Sequence, residues 1–261
     1  MRKAHIITAR RPFSPTGRRD SAKERMWKKV ALDHEVSVAI TQRLNLSGGR
    51  IDLSDVSDFS TIGAKLQGVC IDAMAGTVML ASFGEKSLFI DCEFANFRAD
   101  LMDFGYSELR DCKFINCEIF ELISWEATIV NCSFSGSVHR GKFNIHPDDY
   151  IVRPKTESAF FARNDFSDCN FFDVEFRGGI ELANQRVPTK GDGIVVLDLP
   201  TKMARLCEHL DMNALTKQQV DRIKLLQTII TAHRQRDAFL SQALIGNDPP
   251  ELKQITSLLL E

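Results

Sequence analysis

Between Phe89 and Phe134 every fifth residue belongs to one series: Phe89, Phe94, Ala99, Phe104, Leu109, Phe114, Ile119, Ser124, Ile129 and Phe134, with Ser124 its one polar member. Neither regular element has this period. An α-helix asks for apolar residues at i, i+3, i+4 and i+7, and a half-buried strand asks for alternation, so a sustained period of five requires a repeating unit. A spacing of twenty lies over the first, in Asp91-Cys92-Glu93-Phe94, Asp111-Cys112-Lys113-Phe114 and Asn131-Cys132-Ser133-Phe134. Together the two spacings predict a square coil with four five-residue sides, like side stacked on like side about 4.8 Å apart.

Within each five, the large apolar residue and the small one two places earlier (Ser87, Cys92, Ser107, Cys112, Cys117, Ala127, Cys132) are expected inside, and the other three positions in water. The inward aromatics supply most of the buried area, at roughly 25 cal/mol per Å². The predicted core comprises Phe89, Cys92, Phe94, Phe104, Leu109, Cys112, Phe114, Cys132 and Phe134, joined by Phe166, Phe171 and Phe176 from a second run in a new phase (Ala159-Phe160-Phe161, Asn164-Asp165-Phe166, Cys169-Asn170-Phe171, Val174-Glu175-Phe176). Upstream, Phe59, Ala64, Val69, Met74 and Met79 keep the first register until Gly84 interrupts it. Phe97, Met102 and Leu122 depart by filling small positions, and Ser124 and His139 by standing at large ones.

These residues resemble the pentapeptide-repeat proteins, most closely over 87–139. The resemblance implies a mainly β fold: a right-handed, four-sided β-helix of about five coils. It also implies one kind of partner, because some members resemble a DNA duplex in size and negative charge and occupy the DNA groove of type II topoisomerases such as gyrase.

The flanks read differently. Residues 1–20 form a basic mobile arm, and Ser21-Ala22-Lys23-Glu24 has the form of a capping box opening a helix toward Leu44, so residues 21–50 are expected to be an N-terminal capping helix and turn. Residues 51–182 are assigned to the β-helix, interrupted by an inserted loop at 140–158. Residues 183–261 hold a linker strand at Ile194–Leu197 and C-terminal helices: one from Leu199 to about Leu210, one opened by the capping box Thr216-Lys217-Gln218-Gln219 and running to Leu244, and a last one from Pro249-Pro250. Their apolar stripes (Val220, Ile223, Leu226, Ile230; Leu252, Ile255, Leu259) are expected to cap the solenoid end, with a homodimer interface as the alternative.

Composition narrows the functions. The chain is near neutral overall, but ten Lys/Arg against two Asp/Glu fall in residues 1–30, leaving an acidic body. No stretch approaches the roughly eighteen apolar residues of a membrane span, and the N-terminus has no apolar secretory core, so no membrane association is expected. Seven cysteines, five in small inward positions, read as small hydrophobes in a reducing, bacterial cytoplasm. No phosphate loop, nucleophile elbow, HExxH or CxxC stands, and phenylalanines filling the coil leave no cavity for a substrate. His139, His146, Asp148 and Asp149 match no metal or catalytic spacing. The chain is therefore expected to be no enzyme, to need no cofactor or metal, and not to bind nucleic acid directly. The leading expectation is a protein-binding solenoid, most concretely an immunity protein that neutralises a toxin, with His146, Asp148, Asp149, Tyr150 and Arg153 of the inserted loop as partner-binding residues. A topoisomerase-protecting DNA mimic is the first alternative, and a scaffold or secreted effector the second.

Overall fold

The computed structural model describes residues 28–31, 37–54, 56, 58–73, 79–82, 85–105, 107–125, 127–144, 160–188, 193–211, 214–232, 235–241 and 250–260. Short parallel strands stack into three sheets of eight, seven and six members. The result is mainly β: a solenoid of about four turns where the repeat is regular, with few helices.

The phenylalanines set the register. Phe94 pairs with Phe114, and Phe114 with Phe134, on neighbouring parallel strands. Their rings lie face to face with centroids 4.6 and 4.5 Å apart, and Phe166 extends the column at 4.7 Å. That is the spacing of the strands themselves, so each ring rests on the one below without tilting the backbone. Phe89, Cys92, Phe94, Phe104, Leu109, Cys112, Phe114, Cys132, Phe134, Phe166, Phe171 and Phe176 are all exposed by 3 % or less.

Corners repeat as strictly as sides. Gly48, Gly68, Asp91, Asp111, Asn131 and Arg163 form one corner column, each with φ between 51° and 70°. Glycine, asparagine and aspartate tolerate this left-handed region best, which explains the residue types at five of the six places. Beside that corner stand Cys92, Cys112 and Cys132, whose thiols donate to the carbonyls two residues back at 3.4, 3.3 and 3.4 Å. All seven cysteines are free thiols. The column ends in amides: Asn164 accepts from the Cys132 N–H and donates to the Ile129 carbonyl, while Gln185 accepts from the Asn164 N–H and donates to the Phe161 carbonyl.

Several expectations need correction. Residues 28–31 and 37–42 are strands, paired antiparallel, where a helix toward Leu44 was expected; Val38 and Ile40 carry a period-two, β-branched pattern, and the second strand also pairs with Asp58–Ile62. Upstream of Phe89 the register runs two places out of step: Leu66 and Ile71 pair with Phe89 and Phe94, while Ala64 and Val69 take the small positions. The inserted loop does not begin at 140, because Gly141–Asn144 is a core strand with Phe143 fully buried. At Gly141 a side chain would meet Val138 Cγ1 at 2.9 Å, so glycine is what lets this strand close on the coil.

The C-terminal region packs as a second core. Helices α1 (Leu199–His209), α2 (Lys217–Thr231) and α3 (Pro250–Leu260) bury Leu199, Met203, Leu206, Ile223, Leu226, Leu252, Ile255 and Leu259 together. The capping box at Thr216 and Gln219 forms in both directions. Helix α2 stops at Thr231, short of Leu244, because Ala238–Ser241 forms a strand antiparallel to Gly193–Val196. That strand serves two cores by alternation: Ala238 and Leu240 face the helices, while Phe239 meets Phe171 edge-on at 5.5 Å and covers the end of the coil. Burial on both faces outweighs helix propensity here. Asp237 fixes the junction by accepting from the backbone N–H of Leu182 and of Asp198.

Phe114→Ala removes the middle ring of the column, and its expected cost in denaturant unfolding is about 3–5 kcal/mol. Ser124 is the converse case. Its hydroxyl is buried without a hydrogen-bond partner among the described residues, in register with Phe143. Ser124→Ala is therefore expected to raise stability by about 1 kcal/mol in the same measurement; a loss of stability would show that the hydroxyl is satisfied.

Candidate interaction surface

One irregularity of the coil turns outward a side chain that a perfect repeat would hide. Between Phe114 and Cys117 the pairing with Ser133–His139 slips, so that Cys117 stands against Gly136 and Ile119 against Val138. Gly136 has φ of 112°, and a Cβ there would lie 2.1 Å from the Cys117 carbonyl oxygen, so only glycine fits the slip. Val138 consequently takes the core place at which His139 was expected, and is 1 % exposed. His139 turns outward instead.

Outside, His139 falls between two rings. It stacks on Phe120 at 5.3 Å and on Phe172 at 4.5 Å, with interplanar angles of 17° and 8°. The guanidinium carbon of Arg98 lies 5.4 Å from the Phe120 centroid, closing that end of the stack. Arg98 also faces Glu118 at 3.6 Å, and Arg140 faces Glu121 at 4.0 Å. Phe172 is 37 % exposed, and Ile115, across the left-handed corner at Asn116, is 39 % exposed. A rigid sheet thus presents an aromatic ladder rimmed by ion pairs, with large apolar residues at outward positions that a solvated wall would fill with polar ones.

Several carboxylates of the surrounding surface are paired with a cation or a hydroxyl. Glu108 is held below its ordinary value: burial opposes this, but hydrogen bonds from Lys86 and Arg110 outweigh it. Asp165 is lowered chiefly by the Ser167 hydroxyl, with Arg186 also beside it. Arg50 pairs with Asp72, Arg177 with Glu175, and Arg236 with Glu181.

His146, Asp148, Asp149, Tyr150 and Arg153 lie outside the described residues. The ladder was missed in the sequence because its members stand nineteen and thirty-three residues apart, after the slip and the insertion have broken the count of twenty. A usable signal did exist: Ile115, Phe120 and Phe172 each follow directly on a core residue (Phe114, Ile119, Phe171), where the repeat asks for a polar side chain.

Among the described residues no group of three or more His, Cys, Asp or Glu is placed to hold a metal ion, and no helix is long and apolar enough to cross a membrane. The interior thiols are poor nucleophiles. Burial pushes Cys117 and Cys169 up to about 12, and the hydrogen bond with Cys132 does most to raise Cys112 to about 12. No family model matches the chain, and neither a curated protein nor a solved structure matches it.

Native alkylation with iodoacetamide is expected to modify only the half-buried Cys70 and Cys207, and all seven cysteines after denaturation. Intact-mass counting reads the outcome directly. Rapid native labelling of Cys112 would mean that the coil opens locally.

Proposed function

We propose that the chain is a non-catalytic, protein-binding solenoid built on the right-handed, four-sided coil of pentapeptide-repeat proteins, and that its most concrete role is that of an immunity-type protein that binds and neutralises a toxin. The observation that carries this reading is the outward stack of Phe120, His139 and Phe172 on a rigid wall. Exposed aromatic area held in one conformation loses little entropy on docking, and aromatic and arginine side chains are the usual energetic centres of protein interfaces. The coil type is supported by the five-residue inward spacing and by the corner column of left-handed residues from Gly48 to Arg163.

Mimicry of DNA toward a topoisomerase is the weaker reading. A mimic needs a continuous row of bare charge, whereas here arginines and lysines sit beside Asp72, Glu108, Glu118, Asp165 and Glu175. A rod that supports a larger assembly would need the same wall, and differs only in the identity of what docks.

The test is affinity capture with the full chain against the products of neighbouring genes, run beside the double variant Phe120→Ala/Phe172→Ala. One partner retained by the wild type and weakened at least tenfold by the variant, with unchanged circular dichroism, is the expected result. Equal retention by both proteins would remove the ladder from the interface, and inhibition of gyrase supercoiling by the purified chain would favour the mimic.

A further inference from the structure

Two neighbouring columns of the wall stop one rung short of completion, and they stop together. The first is the aromatic stack. Phe120 has Arg98 on one face and His139 on the other, and His139 has a phenylalanine on each face. Phe172 has His139 on one face and, among the described residues, no ring or cation on the other. It sits on Asp165–Phe172, the last strand of the seven-stranded sheet, and is more than one-third exposed. Phe239 covers the adjacent Phe171 from inside the coil, so the open face of Phe172 is an outer one.

The second column is electrostatic. Because His139 pairs with Phe172, the next places in the turns hold Glu121, Arg140 and Asp173 on consecutive rungs. Arg140 pairs with Glu121 below it, and its backbone N–H donates to the Phe172 carbonyl. Charge therefore alternates from acid to base to acid, and the next rung calls for a cation. Asp173 is exposed at φ of 58°, with no ion pair among the described residues.

We propose that this open end receives an arginine side chain presented by a partner protein, its guanidinium stacked on the free face of Phe172 and paired with Asp173. The inference deepens the protein-binding reading and rests on it. One group completes both columns. A guanidinium is planar, so it continues a stack of flat rings as Arg98 does at the far end, and its fork of donors reaches a carboxylate while it stacks. A lysine ammonium meets the charge but not the plane. An aromatic ring meets the plane and leaves Asp173 unpaired, and a phosphate is repelled by Asp173 and by the exposed Asp168 on the same strand. The surface thus selects a basic, arginine-bearing epitope over an acidic or purely apolar one.

The experiment is an NMR titration of the full chain, labelled at phenylalanine rings and backbone amides, with Nα-acetyl-arginine amide as the probe and the lysine and citrulline amides as comparators. Expected are shifts confined to Phe172, His139 and the Asp173 amide, larger for arginine than for lysine and absent for citrulline, which keeps the shape and loses the charge. Phe172→Ala and Asp173→Asn should each weaken the response at least tenfold. Asn tolerates the positive φ at 173, and Asp91→Asn, at another corner of the same kind, should change nothing. Shifts spread over the whole wall, an equal response to citrulline, or an undiminished response in Asp173→Asn would overturn the proposal. If Phe120→Ala/Phe172→Ala abolishes partner capture while the arginine probe gives no local shift, protein binding stands and the guanidinium reading falls.

Discussion

A phenylalanine ring lying flat on another at one strand spacing is the interaction on which the rest of this molecule depends. The column Phe94, Phe114, Phe134, Phe166 keeps centroids 4.5–4.7 Å apart through three steps. Strand pairing alone fixes the distance between turns but leaves register free to slide, since a slip of two residues restores every backbone hydrogen bond. Stacked rings remove that freedom: a slip of two would set Phe114 against Cys132 or Gly136 in place of Phe134. Side-chain column and backbone ladder therefore enforce one another, and the small residues beside the rings, Cys92, Cys112 and Cys132, are small because the corner they occupy has no room for more.

How much of this is legible in the sequence depends on whether a feature is periodic. The inward columns and the left-handed corners recur at fixed intervals, so a count of fives and twenties reveals them. Helix α3 with its Leu252, Ile255 and Leu259 face, and the capping box at Thr216, are equally local and equally readable. What escapes is decided by partners distant in the chain. Helix α2 gives way to a strand because Gly193–Val196 offers an edge to Ala238–Ser241 and because Phe239 is needed on Phe171. The strand at Ser37–Gln42 forms because Asp58–Ile62 pairs with it, a partner that no helix signal near Ser21 takes into account. Gly136 shows the limit best: its spacing says only that a small residue stands there, while the steric reason is the Cys117 carbonyl on another turn.

The candidate site follows the same logic in reverse. Inward positions of the repeat are committed to the core and leave little room to vary without loss of stability. The slip at Gly136 is one. It removes a residue from the turn, hands the core place of His139 to Val138, and releases an imidazole onto the surface between two phenylalanines. The irregularity costs one ladder position and yields an exposed stack held on strands.

The C-terminal end of the solenoid is finished differently inside and outside. At the C-terminal end Asn164 and Gln185 replace the cysteine column with side chains that satisfy the backbone of the last turns, and Phe239 replaces the next ring with an edge-on one. These devices cover the interior at Phe171 and satisfy backbone groups of the last turns. They do not extend to the outer wall, where, among the described residues, the stack through Phe172 and the charge column through Asp173 remain open on the same rung. Closing the inside is required for stability, since an unpaired edge and an uncovered core invite aggregation; closing the outside is not. An end sealed within leaves the coil stable while its outer rung stays accessible, and this is the condition on which the proposed arginine contact relies.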